Sequence, residues 1–450
     1  MNARSKLSFS NPLTLGAVCL PWRQLAWSTP QLWSHIACDL DNKPLSNKTE
    51  VIREWLSRSG QLPLSIRISF DPRARYDWIE VPQSFIHFIN VFNDYSNRWQ
   101  KLIINGPPGI ICHFTGNSSG APILRILGIH ITPSHQPSTA LSVKIPDQFS
   151  MRGIKPRPNY ISITRMSLKL LDISWDNLTW TNLEYSMTGK ALELLQLAPR
   201  LEKCRIHLLP KNPRDNSPME NLRVVHRNLR ALIIVGVGNM NDTHTMPFLD
   251  QLTLPALQDL SVTATSVQAR DVAAHSLASL VARSTCILKS LTFYGPGFDY
   301  NNIITIFTEI SSIERLALFP LCANEEDMAD ILVIFALTNV ASDGRSQLTF
   351  LPNLQRFVFG IHSPESIPWL LIPNILGTFA GPSRPLTTLT IIEKPSYSKG
   401  SRNINPPKTL IQSGKIDRDT IEDLLEMVEA GVTLYLPFRI PKTYLMTLLE

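Results

Sequence analysis

The chain has 450 residues, of which 44% are apolar and 18% charged, enough apolar surface for a packed core and too much for a largely disordered chain. Lys+Arg exceed Asp+Glu by 43 to 37, a bias too thin over this length to imply a nucleic-acid partner. The six cysteines (Cys19, Cys38, Cys112, Cys204, Cys286, Cys322) contain no Cys-x-x-Cys pair, which argues against a disulfide framework or zinc ribbon and for reduced core thiols in an intracellular protein, cytoplasmic or nuclear.

From the N-terminus, Arg4 and Lys6 precede an apolar stretch, Leu13 to Trp22, that loosely resembles a signal peptide but lacks a small-residue cleavage site. No apolar run approaches the roughly 18 residues that a membrane span needs, so no membrane partner is expected. Asn11-Pro12 is a good helix start. Leu15, Val18, Cys19, Trp22, Leu25 and Ala26 then fall on one helical stripe, with Pro21 inside it, where a proline kinks a helix. Read from periodicity alone, such a stripe is core.

The run Val18-Cys19-x-x-Trp22-Arg23-x-Leu25-Ala26, followed by Pro30-x-Leu32-Trp33, resembles the C-terminal half of an F-box. Trp55 to Leu64 is similar to the segment after the F-box in expanded fungal F-box-like families with leucine-rich repeats. The Leu-Pro-x-Glu helix of the N-terminal half has no match in Met1 to Ser10, which leaves a start further upstream and an eroded F-box as alternatives. The resemblance implies docking on the Skp-type adaptor of SCF ubiquitin ligases through Leu15, Val18, Cys19, Trp22, Arg23, Leu25, Ala26, Pro30, Leu32 and Trp33.

Further along, the pattern Leu-x-x-Leu-x-apolar recurs. It reads Trp99/Leu102/Ile104, Leu124/Leu127/Ile129, Leu168/Leu171/Ile173, Leu201/Cys204/Ile206 and Leu229/Leu232/Ile234. Leu257/Leu260/Val262, Leu288/Leu291/Phe293, Ile313/Leu316/Leu318, Leu354/Phe357/Phe359 and Leu386/Leu389/Ile391 continue it. The last two members of each triplet share one face of a short strand. Helical runs at 191–198, 276–283, 303–310 and 328–337 lie between them. The expected fold is therefore α/β: a short all-α F-box-like segment (11–40), a helix–strand connection and N-terminal cap (45–98), and an irregular leucine-rich-repeat solenoid (99–393). A mobile basic loop (394–418) and a C-terminal capping helix and strand (419–450) follow. Asp419 and Glu422 read as a capping box, Ile421, Leu424, Leu425 and Val428 as the apolar face, and Gly431 as the left-handed stop.

Nothing here spells out catalysis. Gly116-Asn117-Ser118-Ser119-Gly120 matches a nucleophile elbow, but a strand and not a helix follows, so a polar loop is expected. Gly236-x-Gly238 lacks the rest of a dinucleotide fingerprint. Cys204 and His207 fall on opposite faces of a strand, and His130 and His135 have no cysteine or carboxylate nearby in sequence, so neither metal nor cofactor is expected. The basic positions between Arg200 and Arg230 lack interleaved aromatics and read as a solvated face. The functional expectation is a non-catalytic interaction module, the substrate-recognition subunit of an SCF-type ligase with a protein target on the repeat surface. A ligase-independent binding scaffold with an eroded F-box is the alternative.

Overall fold

The computed structural model describes residues 12–40, 45–71, 81–132, 148–209, 223–236, 245–263, 270–296, 304, 306–307, 310–321, 331–335, 338–340, 346–348, 351–361, 369–373, 385–393 and 418–435. The basic stretch 394–417 lies outside them. Two compact units are present, residues 1–186 with 193–201, and residues 187–192 with 202–450.

The first unit opens with two short helices, α1 (Pro12–Val18) and α2 (Leu20–Trp27), followed by β1 (His35–Leu40), α3 (Ser46–Arg58), β2 (Leu64–Phe70), α4 (Gln83–Asn93), β3 (Trp99–Gly106), β4 (Ile126–Ile131), β5 (Tyr160–Thr164) and β6 (Trp180–Ser186). Strands β1 to β6 pair in chain order, each parallel to the next. The register aligns Ile36, Ile66, Leu102, Leu127, Ile161 and Thr181 in one row. Cys38, Ile68, Ile104, Ile129, Ile163 and Leu183 form the row two residues on. All but Cys38 are buried, which is how a parallel sheet with one covered face consumes an alternating pattern.

After α5 (Thr188–Leu197), the second unit contains β7 (Lys203–Leu208), β8 (Val224–Val225), β9 (Ala231–Gly236), α6 (Thr245–Asp250), β10 (Leu252–Thr253), β11 (Asp259–Thr263), α7 (Arg270–Ser284), β12 (Ser290–Pro296) and β13 (Arg315–Leu321). The hairpin strands β14 (Thr338–Val340) and β15 (Ser346–Leu348), then β16 (Arg356–Ile361), β17 (Thr388–Glu393), the helix Arg418–Glu429 and β18 (Thr433–Tyr435) complete it. Its main sheet runs β7-β9-β11-β12-β13-β16-β17-β18, all parallel, while β8 and β10 form a separate parallel pair. Cys204, Leu232, Leu260, Leu291, Leu316, Phe357, Leu389 and Leu434 line up in one row.

A hydrogen-bond device recurs at the start of these strands. The carbonyl just ahead of one strand accepts two successive amides at the entry of the next: Glu202 from Arg230 and Ala231, Arg230 from Gln258 and Asp259, Gln258 from Lys289 and Ser290, and Lys289 from Glu314 and Arg315. It satisfies the amides of the entering turn, where the ladder has not yet begun. The buried residue three before the first row, Leu201, Leu229, Leu257, Leu288, Ile313, Leu354 or Leu386, sits under that turn.

Several expectations are corrected. The sheet starts at β1, inside the segment assigned to the F-box-like helices, and β2, β5 and β6 also belong to it. Leu168, Leu171 and Ile173 are buried but form a 3-10 turn and an isolated bridge from Leu171 to Phe149, outside the ladder. The helix Arg418–Glu429 buries Ile421, Leu424 and Met427 while Val428 is exposed, and Asp419 lies within its first turn. Gly431 takes the expected left-handed conformation at φ 93°.

Candidate interaction surface

The N-terminal stripe is not one helix. Cys19 is extended (φ −158°, ψ 170°) and breaks it in two, so Pro21 falls in the first turn of α2, where a missing N–H costs nothing, rather than kinking a helix interior. The two helices close on each other at Gly16, which is buried, and Arg23 Nε donates to its carbonyl at 2.7 Å. Bent in this way, the hairpin turns its apolar side chains outward: Val18 is 63% exposed, Leu20 62%, Trp22 52% and Leu25 66%, and Leu13 and Trp27 are also exposed. Single exposed apolar residues are ordinary, but six large ones within a hairpin of two turns each are an unusual concentration.

Of the residues expected at the adaptor, Val18, Cys19, Trp22, Arg23 and Leu25 are exposed, and Leu15, Pro30 and Leu32 half-buried. Ala26 and Trp33 are corrected: both are buried. Trp33 Nε1 donates to the Ala26 carbonyl at 2.7 Å, and its ring packs edge-on to Trp55 at 5.2 Å. The Arg58 guanidinium lies 4.3 Å from the centre of Trp27 and 4.8 Å from that of Trp33, tying α2 to α3. The signal for Trp33 was present in the chain: Trp33-x-x-Ile36-x-Cys38 is the repeat triplet itself, with Trp33 in the position that Trp99 and Leu124 occupy later.

The Gly-Asn-Ser-Ser-Gly stretch is a polar loop, as expected. Asn93 Oδ1 accepts the Gly116 amide and Asn93 Nδ2 donates to the His113 carbonyl. Ser96 Oγ donates to the Gly120 carbonyl and accepts the Asn117 amide, so the loop is bolted to the end of α4. Ser118 is exposed, with no helix behind it. On β7, Cys204 is buried and His207 half-buried on the other side, and Lys203 and Arg205 are exposed; Lys211 and Arg214 lie outside the described residues. Burial pushes the Cys38 thiol up to about 12 and also raises Cys204 and Cys286, which makes all three poor nucleophiles.

Sequence reasoning missed one polar cluster. His130 Nδ1 lies 2.7 Å from Thr164 Oγ1, which in turn donates to Glu184 Oε2 at 3.1 Å. The three are register partners on β4, β5 and β6, so a carboxylate does stand near His130, and the missed strands β5 and β6 are what bring it there. Desolvation by burial holds the His130 pKa below the ordinary histidine value. Among the described residues no group of three or more metal-binding side chains converges, and no helix is long and apolar enough to cross a membrane. No protein-family model matches the chain, and no curated protein matches it.

Proposed function

We propose that this chain is a non-catalytic interaction protein of the F-box-like, leucine-rich-repeat type, the substrate-recognition subunit of an SCF-type ubiquitin ligase. In this reading α1 and α2 dock on the Skp-type adaptor, and the strand faces of an irregular solenoid hold the target protein. The observation that carries it is the exposure of Val18, Trp22 and Leu25, three apolar residues that the F-box resemblance assigns to adaptor contact. The solenoid reading is supported by the strand order, the aligned rows and the recurring carbonyl clamp.

Titration of purified Skp-type adaptor tests it. Exposed aromatic and aliphatic anchors that become buried in an interface are typically worth about 2 kcal/mol or more each, roughly thirtyfold in affinity. Trp22→Ala with Leu25→Ala should therefore remove binding that the unaltered chain shows, with the fold intact. Absence of binding by the unaltered folded chain at tens of micromolar rejects the ligase reading. The second reading, a ligase-independent scaffold, is favoured by the burial of Ala26 and Trp33, which removes two expected anchors from the docking face.

A further inference from the structure

Strand β1 opens the sheet of the first unit, with β2 on one side and no described strand on the other. The carbonyls of Ser34, just ahead of it, and of Leu40 accept the amides of Ser65 and Asp71, so the backbone groups of the even-numbered residues face β2. The amide and carbonyl of one residue point to the same side of a strand, which turns those of His35, Ala37 and Asp39 outward. Ala37 is exposed, and its amide and carbonyl have no partner among the described residues. Lys48 Nζ donates to the Asp39 carbonyl at 3.3 Å, a long bond from a flexible side chain that guards this edge without closing it.

An open edge takes another extended segment, and the outward residues say which. Laid antiparallel on a second β1 with Ala37 opposite Ala37, His35 stands opposite Asp39 and Asp39 opposite His35. Opposite residues of an antiparallel pair share a face, so an imidazole meets a carboxylate twice, with two small methyl groups between them at the axis. The same strands set parallel would place His35 by His35 and Asp39 by Asp39. The other face agrees with the antiparallel register. Ile36 comes opposite Cys38, the one member of its row that this edge leaves half-exposed. On α3, Lys48 and Val51 lie one turn apart, and the reach of Lys48 to Asp39 puts that flank over the open edge, where Val51 is 48% exposed.

We infer that β1 is a dimerisation edge, on which two copies of this chain pair β1 antiparallel to β1 about a two-fold axis at Ala37. The interface uses the same patch on both copies and closes at two. It is independent of the adaptor reading, since it uses β1 and α3 and leaves α1 and α2 alone. One short strand pair with a helix flank buries on the order of 1,000 Å², the weak class of interface, so half-dimerisation falls at about 10–100 μM.

Sedimentation velocity of the full chain over about 1–200 μM tests it, with the range set by that weak class. The expected result is a monomer that passes to a dimer and no further. Ala37→Pro removes the outward amide, leaves the ladder to β2, and should give monomer throughout. His35→Asp and Asp39→His should each weaken the dimer about fivefold or more, because each contact occurs twice, and the double variant should recover it. That recovery decides the matter if Ala37→Pro fails to fold. Trp22→Ala with Leu25→Ala should leave the dimer intact. A chain monomeric at every concentration, a dimer that survives Ala37→Pro, or a double variant no better than the singles overturns the inference. So does a dimer lost with Trp22 and Leu25, which would place association on α1 and α2, or growth beyond two, which would mean head-to-tail pairing of β1 with β18.

Discussion

Replacing Leu232 and Ile233 one at a time by alanine tests the register of the second unit at its most discriminating point. Leu232 is fully buried, with Cys204 and Leu260 as its register partners on the strands either side, whereas Ile233, the next residue of β9, is 38% exposed on the opposite face. Leu→Ala removes three carbons, about 2.4 kcal/mol at about 0.8 kcal/mol per methylene. The cavity that a close-packed row cannot fill raises this to about 3–4 kcal/mol. Ile233→Ala removes as many carbons from a partly wet site and leaves no closed cavity, so it should cost about 1 kcal/mol. Native-state hydrogen exchange of the β9 amides reads each cost as a change in that strand's own opening. A slip of one residue would exchange the two faces, so an Ile233→Ala cost equal to or above that of Leu232→Ala refutes the register.

Other outcomes follow from single contacts. Arg98 is buried and its guanidinium donates to the carbonyls of Leu62 and Ser59 and to Ser59 Oγ, so Arg98→Ala should lower stability by about 2–4 kcal/mol in guanidinium unfolding, and Arg98→Lys by less. An unchanged midpoint for Arg98→Ala would show the staple to be idle. Gly360 has the Phe319 ring where a Cβ would be, and that ring stacks on Tyr294 at 3.9 Å and 2°; Gly360→Ala should cost about 1–3 kcal/mol and change the near-ultraviolet dichroism of Tyr294. A silent Gly360→Ala would contradict that packing. Burial lowers the pKa of both His113 and His130 from the ordinary 6.5, so the unfolded chain takes up the proton first. Their contribution is complete above about pH 6.5 and falls away as acidification passes the lowered folded values, and His130→Gln should flatten the melting temperature against pH in that window. A slope unaltered by His130→Gln would mean that the buried imidazole is not what titrates.

The second unit was legible because leucine, isoleucine or phenylalanine fills nearly every row position from Leu229 to Ile391, and the glycine stop at Gly431 is a local backbone requirement. The first unit showed β3 and β4 but hid β5 and β6. β5 has Pro158 where the triplet expects leucine, and β6 puts Thr181 at the first row, so both fell outside a leucine-based pattern although Ile161, Ile163, Leu178 and Leu183 are all buried. The Leu168/Leu171/Ile173 match was accidental, because burial in a 3-10 turn uses the same residue types as burial in a strand. Trp33 was claimed by two patterns at once, and the repeat won, since an indole packed against Trp55 and Arg58 is already committed to the core. The polar cluster of His130, Thr164 and Glu184 was invisible for a different reason. Its members are far apart in sequence and meet only through parallel register, which no single strand encodes.

Hydrogen–deuterium exchange of the full chain with and without Skp-type adaptor shows whether the exposed apolar side chains of α1 and α2 dock there. Docking there slows exchange across residues 12–27 on adding the adaptor, an effect abolished by Trp22→Ala with Leu25→Ala, while the strands of the second unit keep their rates. Unchanged exchange over residues 12–27 under saturating adaptor, or protection confined to the strands, would contradict it.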